Sequence, residues 1–463
     1  MKQQFNRLVV ILFFLGLSFN VCAEKWQKCE KTYKYRIFFT DKKKSAFKQD
    51  KPQAFLSEKA IIRRKKQHIK IDELDLPVNG SYLEYLRSRG IEVLCTSKWN
   101  NTALVQYNDT AVLKGLIREP FVKAVKKLWT SPDSVKIMEP VDRKLHVTDS
   151  LVQGDNVYGS AYMQISMLNG IRLHEAGFRG EDMTIAVLDG GFYNADILNV
   201  LSRTKIIGTH NFVRPGKSVF EEQKHGMNVL SCIGANKPNV LIGTAPEASF
   251  WLFVTEDTFS ESGAEEDYWA AAAEYADSVG VDIITSSLGY YNYDDRSTSY
   301  HYWDLDGKTA LISRSASLIA SRGMLLLNSA GNNGNDSWKK IIVPGDARDM
   351  LTVGAVDTEG TNCNFSSVGN TADGRIKPDV VALGCKAAIL ATDGTISEAS
   401  GTSFSAPILC GMAACLWQAC PNLRPKDLIR LIQQSGNNSK HPDNIFGYGL
   451  PDFWKAYQNS TKK

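Results

Sequence analysis

The chain has 463 residues, 43% of them hydrophobic, and a formal net charge of only +4. That length buries a large core and accommodates two folded units, and so mild a charge gives no reason to expect a nucleic-acid partner. No later apolar run is longer than the short one near the start, so no membrane span is expected.

Lys2 and Arg7, the apolar run LVVILFFLGLSF and the small-residue stretch VCA before Glu24 follow the pattern of an export signal over residues 1–23. A secreted or periplasmic location is therefore expected. Cys22 would be the site of a lipid anchor, but Phe19-Asn20-Val21 before it does not match a lipobox, and no anchor is expected. The basic runs Lys42-Lys43-Lys44 and Arg63-Arg64-Lys65-Lys66 read as solvated faces or loops. None of the nine cysteines forms a CxxC pair, so a zinc cluster is not expected. Cys410, Cys415 and Cys420 fall in one helical stretch, and free buried cysteine is the default reading for most of the nine, with no disulfide assigned.

Residues 24–130 read as strand (YKYRIFF), helix (NGSYLEYLRSRG), strand (IEVLCTSKW), strand (TALVQY), helix (DTAVLKGLIREP) and strand (FVKAVKKLW). Asp109 or Thr110 caps the second helix and Pro120 stops it. This is the order of a ferredoxin-like α+β unit, which by itself says little about function. Residues 131–154 carry charge, Pro and Gly without a period and read as a linker.

From residue 155 to 463 the texture changes. MTIAVLD, SFWLFV, VDIITSSLG, GMLLLNSAG and MLTVGAV are short continuous apolar runs, and helical stretches such as YWAAAAEYADSVG and TALISRSASLIASRG alternate with them. This predicts an α/β domain with a mostly parallel sheet covered by helices on both faces. In such sheets chemistry gathers at the carboxyl ends of the strands. Asp189 ends MTIAVLD, His225 opens HGMNVLSCIGA, and Ser403 starts the apolar helix SFSAPILCGMAACLW. Read singly, Asp189 is also an ordinary turn residue and His225 an ordinary surface or packing residue. Together they supply a nucleophile, a base and an acid that orients the base.

The segments IAVLDGGF, HGMNVLSCIGA and SGTSFSAP resemble the aspartate, histidine and serine motifs of the subtilisin-like serine peptidases, the subtilases. The resemblance covers most of residues 155–458. It implies an endopeptidase in which Ser403 is nucleophile, His225 general base and then acid, and Asp189 its orienting partner, with no cofactor required for the chemistry. Asn332, in SAGNNG, resembles the side-chain donor of the oxyanion hole. Ser287, Leu288 and Gly289, with Ser329, Ala330 and Gly331 opposite, resemble the strands that hold a protein or peptide substrate in extended form. Thr402 and Ser405 are read as turn or packing residues, and Pro407 as tolerated in a first helical turn.

The resemblance further implies that residues 24–130 are a propeptide that assists folding and inhibits the enzyme, released by self-cleavage in the linker. Calcium often steadies such enzymes, but no loop of spaced carboxylates stands out, and DLDG at 304–307 reads as a turn. The aromatic stretch YYNYDDRSTSYHYWDL, including Trp303, is expected to shape subsites for apolar residues. Two departures are Gly190, where many members have a hydroxyl residue, and Met227-Asn228, where many have Thr and His. The competing reading is a catalytically silent binding protein of the same fold. All four catalytic positions are nevertheless present.

Overall fold

A computed structural model of the chain describes residues 26–43, 45–136, 143 and 155–461. The expected export signal, Cys22 and most of the linker lie outside these residues.

The N-terminal domain is built from β1 (Tyr33–Phe39), α1 (Glu58–Lys66), α2 (Gly80–Ser88), β2 (Glu92–Ser97), β3 (Thr102–Tyr107), α3 (Thr110–Gly115) and β4 (Val122–Thr130). Its four strands form one antiparallel sheet in the order β2-β3-β1-β4, the ferredoxin-like arrangement. Asp109 caps α3 by accepting from the N–H groups of Ala111 and Val112. Helix α1 is an addition to the plan read from the sequence. Ser57 caps it, and its charged face is satisfied by carboxylates of the second domain rather than by apolar packing, so no hydrophobic period marks it.

That arrangement corrects the reading of the basic runs as solvated at Arg63, Arg64 and Lys42, while Lys43, Lys65 and Lys66 are exposed as expected. Arg63 is 6% and Arg64 1% exposed. Lys42 is also buried and donates to the carbonyls of Glu73 and Leu76; burial lowers its pKa to about 8.

The second domain contains β5 (Thr184–Asp189), β6 (Lys205–Asn211), α4 (His225–Gly234), β7 (Ser249–Val254), α5 (Ala264–Val279), β8 (Ile283–Ser286), α6 (Leu311–Ile319), β9 (Leu325–Ser329), β10 (Leu351–Val356), β11 (Val380–Leu383) and α7 (Thr402–Ala419). Seven parallel strands form one sheet in the order β11-β10-β9-β8-β5-β7-β6. Strand β5 shows why the runs are continuously apolar. Ile185 and Val187 enter a core shared with α4 and α7, while Ala186 and Leu188 enter the core shared with α5 and α6.

The N-terminal domain seats on α5 and α6. Trp99, Leu104 and Leu128 join the same core as Tyr268, Trp269 and Ile312. Around this apolar centre, Arg36 forks onto Asp267 with contacts of 2.6 to 2.9 Å. Arg63, Arg64 and Lys98 converge on Asp277 at 2.5, 2.8 and 3.2 Å. Glu274 accepts from the Ser97 hydroxyl and from the backbone N–H groups of Lys98 and Trp99.

Among the described residues one disulfide, Cys363–Cys385, joins the turn after β10 to the turn after β11. The default of free cysteines is corrected at this pair. Cys232, Cys410 and Cys415 are free and buried, and burial pushes the thiol of Cys232 up to about 12.

Candidate active site

Because the strands are parallel, their carboxyl ends lie along one edge. Asp189 ends β5, and Ser286 and Ser329 end β8 and β9. Asp189 is 1% exposed, and both its carboxylate oxygens lie 2.9 Å from His225 Nδ1, the first residue of α4. The charge of Asp189 raises the His225 pKa above its ordinary value, against the lowering effect of burial. The contact depends on Gly226: a Cβ there would lie 2.5 Å from the Gly191 carbonyl and 2.8 Å from Asp189 Cβ. Only glycine lets the helix start this close to the strand end.

Ser403 is the second residue of α7, so its N–H has no intrahelical acceptor. The ring of its neighbour Phe404 lies 6.0 Å from that of His225. The structure thus brings the first turn of α7 against the Asp189–His225 pair, although no hydrogen bond joins Ser403 to His225 among the described residues. Pro407 lies in the second turn rather than the first. It cannot donate to the carbonyl four residues back, that of Ser403. The Ser287 hydroxyl donates to that oxygen instead, at 2.8 Å.

Asn332 adjoins the same helix start. Its Oδ1 accepts from the backbone N–H and the hydroxyl of Thr402, both at 2.9 Å. A backbone N–H can only donate, so it fixes which amide atom faces it. The Nδ2 donor is thereby left on the other side, 3.5 Å from where a Cβ on Gly401 would sit. Gly331, at φ +104, makes the turn that delivers Asn332, and its N–H donates to Thr402 Oγ1 at 3.2 Å. Thr402 therefore braces Asn332, a role that its reading as a turn residue missed. Ser405 is buried with its hydroxyl unpartnered.

Of the expected substrate-binding residues, Ser287 touches Ser403 directly and Leu288 lines the cleft that contains Asp189 and His225. Gly289 follows Leu288, whose carbonyl accepts from Asn328 Nδ2 at 3.0 Å. Ser329 and Ala330 are buried at the end of β9, directly before Gly331. The cleft, about 500 Å³, is also lined by Gly190, Gln223, Glu256, Asp257, Glu261 and Asp294. Glu256 was not singled out from the sequence. It accepts from the Tyr290 hydroxyl, and burial raises its pKa to about 8.

The aromatic side chains of the stretch do not line this cleft, although its Asp294 does. Tyr290 and Tyr293 are buried beneath it and donate to Glu256 and Glu266, while Trp303 is 69% exposed and stacks on His301. In DLDG, Asp304 and Asp306 accept from nearby backbone N–H groups, as turn carboxylates do. Among the described residues no group of three or more His, Cys, Asp or Glu side chains is placed to hold a metal ion. Of the two departures, Gly190 lines the cleft and Asn228 donates to the Leu390 carbonyl at 2.5 Å.

The profile of the Subtilase family matches residues 180–449, and that of the Peptidase S8 propeptide domain, Bacteroidota, matches residues 34–140. Serine protease AprX of Bacillus subtilis (strain 168) is 28% identical over 301 residues, 58% of this chain and 65% of the relative. This chain thus spans slightly less than two thirds of that protein's length. Subtilisin NAT of Bacillus subtilis subsp. natto is 27% identical over 344 residues, 73% of this chain and 78% of the relative. The solved structure of MycP3 protease from the type VII (ESX-3) secretion system shares the fold, with a TM-score of 0.53 and 19% identity over 69% of this chain and 97% of that one. With the family profile matching more than half of its length, this chain belongs to the subtilases, the subtilisin-like serine peptidases, and carries an S8 propeptide domain ahead of the peptidase fold.

Proposed function

We propose that the protein is an exported serine endopeptidase, made as a zymogen, that hydrolyses peptide bonds through Asp189, His225 and Ser403. The observation that carries this reading is the His225 imidazole, gripped at Nδ1 by both oxygens of a buried carboxylate and set against the start of the helix bearing Ser403. With Nδ1 held, His225 has Nε2 free to take the Ser403 hydroxyl proton as the oxygen attacks the scissile carbonyl. The acyl-enzyme forms as His225 returns that proton to the leaving amine, and water repeats the sequence in reverse. Asn332 Nδ2 and the Ser403 N–H donate to the oxyanion. The chemistry uses side chains and backbone alone.

Leu288 and Gly289, with Ser329, Ala330 and Gly331, would receive an extended protein or peptide substrate. The N-terminal domain would act as the intramolecular inhibitor, which accords with its extensive ion-paired seat on α5. Export rests on residues 1–23 and on family membership; among the described residues no helix is long and apolar enough to cross a membrane. The test compares purified wild type with Ser403→Ala, following chain mass and labelling by a fluorophosphonate probe. The wild type should label and shed about its first third, while the variant stays whole and unlabelled. A wild type that does neither across a range of pH and calcium overturns the reading in favour of a silent binding protein.

A further inference from the structure

Arg143 is seated on the second domain. Its Nη1 and Nη2 donate to the two carboxylate oxygens of Asp196 at 3.0 and 2.8 Å, and Nη1 also donates to the Phe220 carbonyl at 2.7 Å. Two parallel contacts to a carboxylate and a third to a carbonyl match the planar donor fork of a guanidinium, which a point-like ammonium reproduces poorly.

The seat is fixed to the catalytic loops. Asp196 lies seven residues after Asp189, and Phe220 lies five residues before His225. Three backbone hydrogen bonds tie these turns together, from Phe192 N to the Val219 carbonyl, Tyr193 N to that of Gln223, and Asn194 N to that of Phe220. Gln223 lines the cleft itself. The Asn194 side chain reaches the Thr392 carbonyl, in the hairpin that leads to Ser403. Among the described residues Asp196 pairs with no cation but Arg143. Among the described residues the second domain therefore supplies this carboxylate with no cation of its own.

We propose that Asp196 and the Phe220 carbonyl form a guanidinium-binding subsite beside the cleft, filled here by Arg143 and open, when vacated, to an arginine side chain of a peptide substrate. This rests on the peptidase reading and adds a selectivity to it. Asp196 is partly exposed, so its carboxylate is reachable from solvent, and its replacement leaves no buried gap.

The test uses the enzyme activated from the full-length chain and pairs of fluorogenic peptides carrying arginine or citrulline, which is isosteric and uncharged, at each position around the scissile bond. At one position kcat/KM should favour arginine about tenfold or more, the worth of a charged hydrogen-bonded contact. Asp196→Asn should bring that ratio close to one, whereas Glu247→Gln, which removes a surface carboxylate paired with Arg179, should keep it. A wild type indifferent to arginine at every position, or a preference that survives Asp196→Asn, overturns the proposal. If the protein neither labels with fluorophosphonate nor cuts any peptide, the peptidase reading fails separately. The subsite is then read by fluorescence anisotropy of labelled arginine and citrulline peptides on Ser403→Ala/Arg143→Ala. Tighter binding of the arginine peptide supports the subsite, and equal binding overturns it.

Discussion

The hydroxyl of Ser287 donates to the carbonyl oxygen of Ser403, the acceptor that Pro407 leaves without its helical donor. A strand end and a helix start are thus joined at the residue proposed as nucleophile. Ser287→Ala should leave a buried carbonyl unpaired and cost about 1–3 kcal/mol of stability. In the background of Pro407→Ala, which restores an N–H, the same change should cost less. Thermal unfolding of the two single variants and the double variant checks this; strictly additive losses would sink the account.

The Asp189–His225 contact sets the pH dependence. As the proposed general base His225 would act in its neutral form, and Asp189 raises its pKa, so kcat/KM should rise with pH through a midpoint above 6.5. Asp189→Asn removes the main raising influence and leaves burial, so that midpoint should move down while the plateau falls by roughly 10⁴. A pH–rate profile with an unmoved midpoint would contradict the assignment.

Glu256 bears on stability at alkaline pH. Its pKa in the folded protein, about 8, lies above its ordinary value. Its stabilising contribution is thus complete below that ordinary value and has been lost once the pH passes about 8. Glu256→Gln keeps an acceptor for the Tyr290 hydroxyl but has no proton to lose. Its Tm should fall less than that of the wild type between about pH 6 and pH 9. Parallel declines would count against the burial of this carboxyl as the cause.

Asn332 and Thr402 should behave as donor and brace. Asn332→Ala should lower kcat by about 10² to 10³ with little change in KM. Thr402→Val removes the hydroxyl but not the backbone N–H that also holds Asn332 Oδ1, so its loss should be smaller, about tenfold. Equal losses in the two variants would place Thr402 in the chemistry itself.

Asp277 holds three cations of the propeptide domain in a buried site. Asp277→Asn should weaken the seat of that domain by about 3–5 kcal/mol, since it strands Arg63 and Lys98, while Arg64 keeps Asp75 at 2.7 Å. Earlier release of the N-terminal fragment, followed by mass, would bear this out, and unchanged release would not.

Asp189, His225 and Ser403 were legible because each stands at the border of an apolar run, where a strand or helix must begin or end. Asn332 was legible only through the resemblance of SAGNNG to a family motif. Arg63, Arg64 and Glu256 were not legible: apolar periodicity marks faces packed on oil-like neighbours, whereas these groups are buried against opposite charges or a hydroxyl from distant parts of the chain. Cys363 and Cys385 escaped for a similar reason. Their proximity follows from two adjacent parallel strands, β10 and β11, leaving the sheet on the same side, which no spacing of cysteines encodes.

The ion pairs between the two domains also have a long-range aspect. Residues 24–130 carry 24 Lys and Arg against 12 Asp and Glu, in a chain whose formal charge is only +4. The near-neutral whole is therefore the sum of a strongly basic fragment and an acidic remainder. On the proposed cut of the connecting chain, the fragments would attract as oppositely charged bodies, and dilution alone would separate them slowly. Under the proposed maturation ionic strength would govern the outcome: salt screens the attraction beyond roughly 8–10 Å and would slow recapture of the N-terminal fragment. The same zymogen would mature at different rates in dilute and in brackish surroundings.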